Sequence, residues 1–139
     1  MDPADRAYYE SEIRPLIKVS PWVEFIGEIG DAQKSEFLSS AHVLLFPINW
    51  PEPFGLAMIE SMACGTPVIG FDRGSVPEVV EDGLSGFVVG NEAAAIRAVS
   101  RLGELDRRLD VGSSIGASPH DGWRPTMRRC INACATTRA

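Results

Sequence analysis

The chain has 139 residues, and 45% of them are hydrophobic and 23% charged, which fits one ordinary globular domain with a buried core. Thirteen Lys and Arg against 19 Asp and Glu leave a formal net charge of −6, which argues against a nucleic-acid surface. No run approaches the roughly 18 apolar residues of a membrane span, and the charged opening "MDPADRAYYESEIRP" lacks the apolar stretch of a secretory leader.

Taken in chain order, Pro3 to Ile17 is predicted to be a helix. Tyr8, Tyr9, Ile13, Leu16 and Ile17 recur at helical spacing, and the acids come early. "WVEFIG" (Trp22–Gly27) reads as a short strand closed by glycine. "DAQKSEFLSSA" (Asp31–Ala41) reads as a helix with Asp31 as its N-cap. "HVLLFP" (His42–Pro47) is an apolar run of strand length, of the kind buried on both faces of a parallel sheet. A loop then leads to a helix over Leu56–Cys64, with Gly65 as its stop. Leu56, Ile59 and Met62 form its expected core stripe, and Ala57, Ser61 and Cys64 a face of small residues. "PVIGF" (Pro67–Phe71) is a second buried strand, Val76–Val80 a short helix, and "DGLSGFVV" a turn and a strand. Asn91–Leu102 reads as an Ala-rich amphipathic helix capped by Asn91.

Strand and helix therefore alternate to about residue 105, the pattern of an α/β domain with a parallel, Rossmann-like sheet and right-handed crossovers. About four strands are few for a doubly wound sheet, so a partial sheet is expected. Beyond Leu109 the apolar period is lost, and Gly, Ser, Pro and Arg interrupt an irregular tail. Cys64, Cys130 and Cys134 make no disulfide framework. Reduced thiols and a cytoplasmic location are the corresponding expectation.

The chemistry concentrates in "NWPEPFGLAMIESMACGTPVIGF" (Asn49–Phe71). Ligands of open α/β sheets bind at the carboxyl ends of strands. The helix start at Gly55 offers free N–H groups and a positive dipole end, which suit a diphosphate. Glu52 precedes that start, and Glu60 lies inside the helix. Fully helical spacing would set them about 12 Å apart along the axis, too far for one acid/base pair. A sugar hydroxyl at Glu52, phosphate at the helix start and a ribose diol at Glu60 together describe a nucleotide sugar. Spacing alone also fits an ordinary loop acid and an ordinary helix acid, or the paired carboxylates of a glycosidase.

The composite of Glu52-Pro53-Phe54-Gly55-Leu56 through Glu60, then Met62-Ala63-Cys64-Gly65-Thr66-Pro67-Val68-Ile69, resembles the C-terminal donor-binding domain of retaining glycosyltransferases of the GT-B fold, family 4. The resemblance runs on through "GSVPEVVEDGLSGFVV" (Gly74–Val89) and back through "VEFIGEIGDAQKSEFLSSAHVLLFPINW". It implies transfer of a sugar from a nucleoside-diphosphate sugar to an acceptor with retention of configuration, and no metal or other cofactor. It gives Glu52 the reaction centre and the donor sugar. The backbone of Phe54, Gly55 and Leu56 receives sugar hydroxyls and diphosphate, and Glu60 the ribose. Ile29, Asp31 and Lys34 fall where relatives hold the base. Asp31 is equally readable as a helix cap, and Lys34 as an exposed helix charge.

The resemblance covers roughly residues 5–108 and implies a partial C-terminal domain over 1–108. The family's N-terminal domain, which supplies the acceptor wall, has no counterpart here, nor does the opening strand whose Arg and Lys grip the diphosphate. Arg14 and Lys18 lie in the wrong segment to replace them. A chain inactive by itself is the expectation. A separate partner chain carrying the N-terminal half, or a non-catalytic nucleotide- or sugar-binding module, are its alternatives. Residues 109–139 have a further reading. Back-translated with GC-rich codons and read from the third base of the Asp110 codon, they can yield RRLVDRRFSARRMAADYEAVYQRLR. That string is helical in period and similar to the family's C-terminal helix. Sequencing the gene across the Leu109 and Asp110 codons is expected to reveal a shifted frame. An uninterrupted frame encoding a stable helical tail would sink that reading.

Overall fold

The computed structural model describes residues 3–105, so the expectations for 109–139 lie outside the described residues. The chain divides into one unit ending at Gly30 and a second beginning at Asp31.

The first unit opens with α1 (Pro3–Tyr8), a wide π-turn over Tyr9–Ile13 and α2 (Arg14–Val19). Pro15 explains the interruption. Its ring has no N–H to donate and crowds the carbonyl four residues back, and a π-turn absorbs the misfit by pairing residues five apart. The Arg14 N–H accordingly donates to the Tyr9 carbonyl. The predicted helix thus holds in extent, running on to Val19. Tyr9 packs against Phe25 with ring centroids 4.8 Å apart. The strand expected at Trp22–Gly27 does not form. A strand exists through pairing with a neighbour, and no described strand pairs with this one. Trp22 is left 92% exposed.

The second unit is a three-stranded parallel sheet in the order β1 (Leu44–Phe46), β2 (Val68–Phe71), β3 (Gly86–Val89). In register, Leu45 lies beside Ile69, and Ile69 beside Phe87. Around it are α3 (Asp31–Ser40), α4 (Leu56–Ala63), α5 (Val76–Val79) and α6 (Glu92–Ser100), then a tight turn over Leu102–Glu104. The side-chain period of two sorts each strand between two cores. Phe46 and Val68 pack with Met58, Met62, Val76 and Val80 under α4 and α5. Ile69, Phe87 and Val89 pack with Ala98 and Leu105 under α6. Helices on both faces of a parallel sheet make this an α/β domain.

Three details position the site. Gly86 sits so close to β2 that any Cβ would run into the Val68 carbonyl. The Thr66 hydroxyl, fully buried, donates to the Leu38 carbonyl at 2.6 Å, and the Ser61 hydroxyl donates to the Thr66 carbonyl at 3.0 Å. These bonds tie α3 to the α4–β2 connection. Asn91 caps α6 as expected, its Oδ1 accepting from the Ala94 N–H at 2.9 Å.

Two expectations need correction. The buried residues of α4 are Met58, Ile59, Ser61 and Met62, whereas Leu56 is 53% exposed. Leu56 lies about 200° around the helix from Met58 and so faces away from the sheet. Cys64 is buried but takes part in a disulfide bond, so it is not the free thiol anticipated.

Replacing Thr66 by Val removes one buried donor and leaves the shape nearly unchanged. Thr66→Val is expected to lower stability by about 1–2 kcal/mol with the fold kept, read as a reduced urea midpoint. An unchanged midpoint would show that the α3 tie carries no weight.

Candidate functional site

The chain leaves β1 at Phe46, crosses an open loop and enters α4 at Gly55. That entry is left-handed, with φ of 63° at Gly55, a conformation glycine adopts without steric cost. The surroundings require glycine as well. A Cβ at position 55 would run into the Met58 side chain and lie 3.1 Å from the Ser75 hydroxyl.

Glu52 is fixed from several sides. Its Oε1 accepts from the Gly55 N–H at 3.3 Å, and its Oε2 from the Trp50 indole at 3.4 Å. Its backbone N–H donates to the Trp50 carbonyl, and its carbonyl accepts from the Ser75 N–H, both at 2.9 Å. The turn between β2 and α5 passes directly beneath. A Cβ at Gly74 would come within 2.5 Å of the Glu52 backbone nitrogen and oxygen. The Ser75 hydroxyl is buried and has no hydrogen-bond partner among the described residues.

The expected site residues fall into two groups. Glu52, Phe54, Gly55 and Leu56 gather at the start of α4, where Phe54 and Leu56 expose 56% and 53% of their surface. First-turn N–H groups such as those of Leu56 and Ala57 have no intrahelical partner, so this end can serve an anion. Glu60 lies five residues beyond Gly55, about 7.5 Å along the axis. The second group forms around it. Lys34 Nζ donates to Glu60 Oε1 at 3.1 Å and meets Asp31 Oδ1 at 3.2 Å. Asp31 is the first residue of α3 rather than its cap. Ile29 is half-buried and belongs to the first unit.

Electrostatics supports the second group. Hydrogen bonds to Glu60, and then to Asp31, push the Lys34 ammonium above the usual lysine value. A raised folded value means the ion pair contributes fully below the unfolded lysine pKa, roughly 10.4. That contribution is lost only as pH climbs through the folded value, so Lys34 keeps its charge across the neutral range.

Sequence reasoning did not single out Trp50, Gly74 or Ser75, which hold Glu52 in place. A glycine before Ser75 was readable as a turn, but its contact with residue 52 is non-local. Among the described residues no three His, Cys, Asp or Glu side chains converge as a metal site, and no helix is long and apolar enough to cross a membrane.

Residues 9–111 match the family of glycosyl transferases, group 1. The chain belongs to that family. Over 102 residues it is 36% identical to a phosphatidyl-myo-inositol mannosyltransferase of Propionibacterium freudenreichii, covering 69% of this chain and 27% of the relative. Over 97 residues it is 37% identical to a D-inositol 3-phosphate glycosyltransferase of Streptomyces scabiei, covering 69% and 21%. An alpha-maltose-1-phosphate synthase of Mycobacterium tuberculosis is 42% identical over 72 residues, covering 52% and 18%. The chain thus spans between 18% and 27% of the length of these relatives. In this group 1 glycosyl transferase chain, the matched span contains the α4 entry, both carboxylates and Lys34.

The packing of Gly74 under Glu52 has a direct test. Gly74→Ala is expected to speed amide hydrogen exchange at Gly55 and Ser75 by about tenfold or more, with β2 and β3 amides unchanged. Unaltered exchange at Gly55 and Ser75 would show that the turn does not hold the loop.

Proposed function

We infer that the chain forms the donor side of a retaining, family 4-like glycosyl transferase acting on a nucleoside-diphosphate sugar. The observation that carries this reading is the open start of α4 between two half-buried carboxylates, Glu52 before it and Glu60 in its second turn. An anion-binding helix end flanked by two hydroxyl acceptors matches a diphosphate joined to a sugar on one side and a ribose on the other.

Each residue then has a physical task. The N–H groups at Gly55 and Leu56 meet the diphosphate and stabilise the negative charge that grows on it as the glycosidic bond breaks. Glu52 lies at the sugar side and accepts hydroxyl hydrogen bonds there. Its present bond to the Gly55 N–H is long, at 3.3 Å, so exchange for a ligand contact costs little. Glu60 accepts from the ribose diol. The backbone of Phe54 borders the sugar, while Asp31 and Lys34 lie toward the base end. Transfer of this kind relies on positioning and electrostatics, and the proposal assigns it no metal. Two of the relatives are named as sugar transferases, which supports sugar transfer as the reaction class. No acceptor-binding residue is identified among the described residues.

Calorimetry with UDP, GDP and ADP tests the reading. One of the three is expected to bind the wild-type chain, and Glu60→Ala to weaken that binding by about tenfold or more. Glu52→Ala is expected to leave nucleotide affinity within about threefold, because its role lies with the sugar. Equal binding by wild type and Glu60→Ala would overturn the ribose assignment.

A further inference from the structure

The pairing of Lys34 with Glu60 joins residues 26 apart in sequence, one on α3 and one on α4. It satisfies one carboxylate oxygen only. Oε1 accepts from Lys34 at 3.1 Å, and a carboxylate keeps further acceptor sites on both oxygens. Asp31 approaches the same ammonium from its own helix at 3.2 Å, so Lys34 is itself held between two carboxylates. The Asp31 side chain is 99% exposed, whereas Lys34 and Glu60 are 31% and 23% exposed. The shielded contact is therefore the one that reaches Glu60.

We propose that Lys34 is a positioning residue that acts through Glu60, fixing its carboxylate so that the remaining acceptor sites meet the ribose diol and confer preference for ribose over deoxyribose ligands. This rests on the donor-site reading above and assigns Lys34 a task different from contact with the base. A free Glu side chain samples several rotamers, and freezing it on binding opposes affinity. Lys34 freezes it beforehand, which is preorganisation. Asp31 keeps the long lysine chain from leaving Glu60, and Thr66 keeps α3 seated against the α4–β2 connection.

The experiment is a set of titrations on the whole chain with a ribonucleoside diphosphate, its dideoxyribose counterpart and inorganic pyrophosphate. The wild type is expected to prefer the ribonucleotide. Lys34→Met should weaken ribonucleotide binding by about fivefold and leave dideoxynucleotide and pyrophosphate binding unchanged. Lys34→Arg should restore most of the loss. Lys34→Met added to Glu60→Gln should cost nothing further, because the two act as one unit. A melting temperature for each variant separates positioning from unfolding. Equal losses for all three ligands would make Lys34 a direct phosphate contact and overturn the proposal. So would a ribose preference that survives Lys34→Met. A wild-type chain that binds none of the three would remove the donor-site reading and this proposal together.

Discussion

The left-handed backbone at Gly55 is the constraint on which the site depends. It lets the chain leave a loop and enter α4 at once, with the first N–H groups of the helix open. A side chain there would meet Met58, which belongs to the core beneath, and Ser75, which belongs to the adjacent turn. The site and the hydrophobic core therefore share one residue with no room for a substituent. From that point outward the structure is a series of close approaches. Gly74 passes under Glu52, Ser75 bonds its carbonyl, and Trp50 reaches its carboxylate.

The sheet serves this geometry by holding both ends of α4. β1 delivers the loop, and β2 receives the chain after the Gly65 turn, where φ is 72°. Ser61 and Thr66 lock that return through buried hydroxyl bonds, and the second of these reaches α3. The same contact that stabilises the fold thus seats the helix carrying Lys34. Positional precision at Glu60 follows from packing on one side and from an ion pair on the other.

Much of this was legible in the sequence because the signals are local. The apolar run at Leu44–Phe46, the glycine after α4, the Val-rich strands and the Asn91 cap each announce themselves within a few residues. The placement of Glu52 before α4 and of Glu60 within it was legible for the same reason. What stayed hidden depends on partners distant in sequence. Trp22–Gly27 has strand composition but no described strand to pair with. Leu56 completes an apolar stripe on paper, yet the helix is rotated so that Met58 takes the inner face. The Lys34–Glu60 bridge and the seat of Glu52 on Gly74 and Ser75 arise from tertiary approach, which spacing cannot display. Pro15 lay in plain view, but whether a helix breaks or widens at a proline is decided by its neighbours.

An anionic nucleotide is expected to dock at the start of α4 with its ribose toward Glu60. The most direct measurement is a map of backbone amide resonances during titration with the nucleoside diphosphate that binds. The largest shifts are expected at Gly55, Leu56 and Ala57, with a smaller set around Glu60 and Lys34 and none along α6. Shifts centred on α6, or spread evenly with none at the α4 entry, would overturn that placement of the nucleotide.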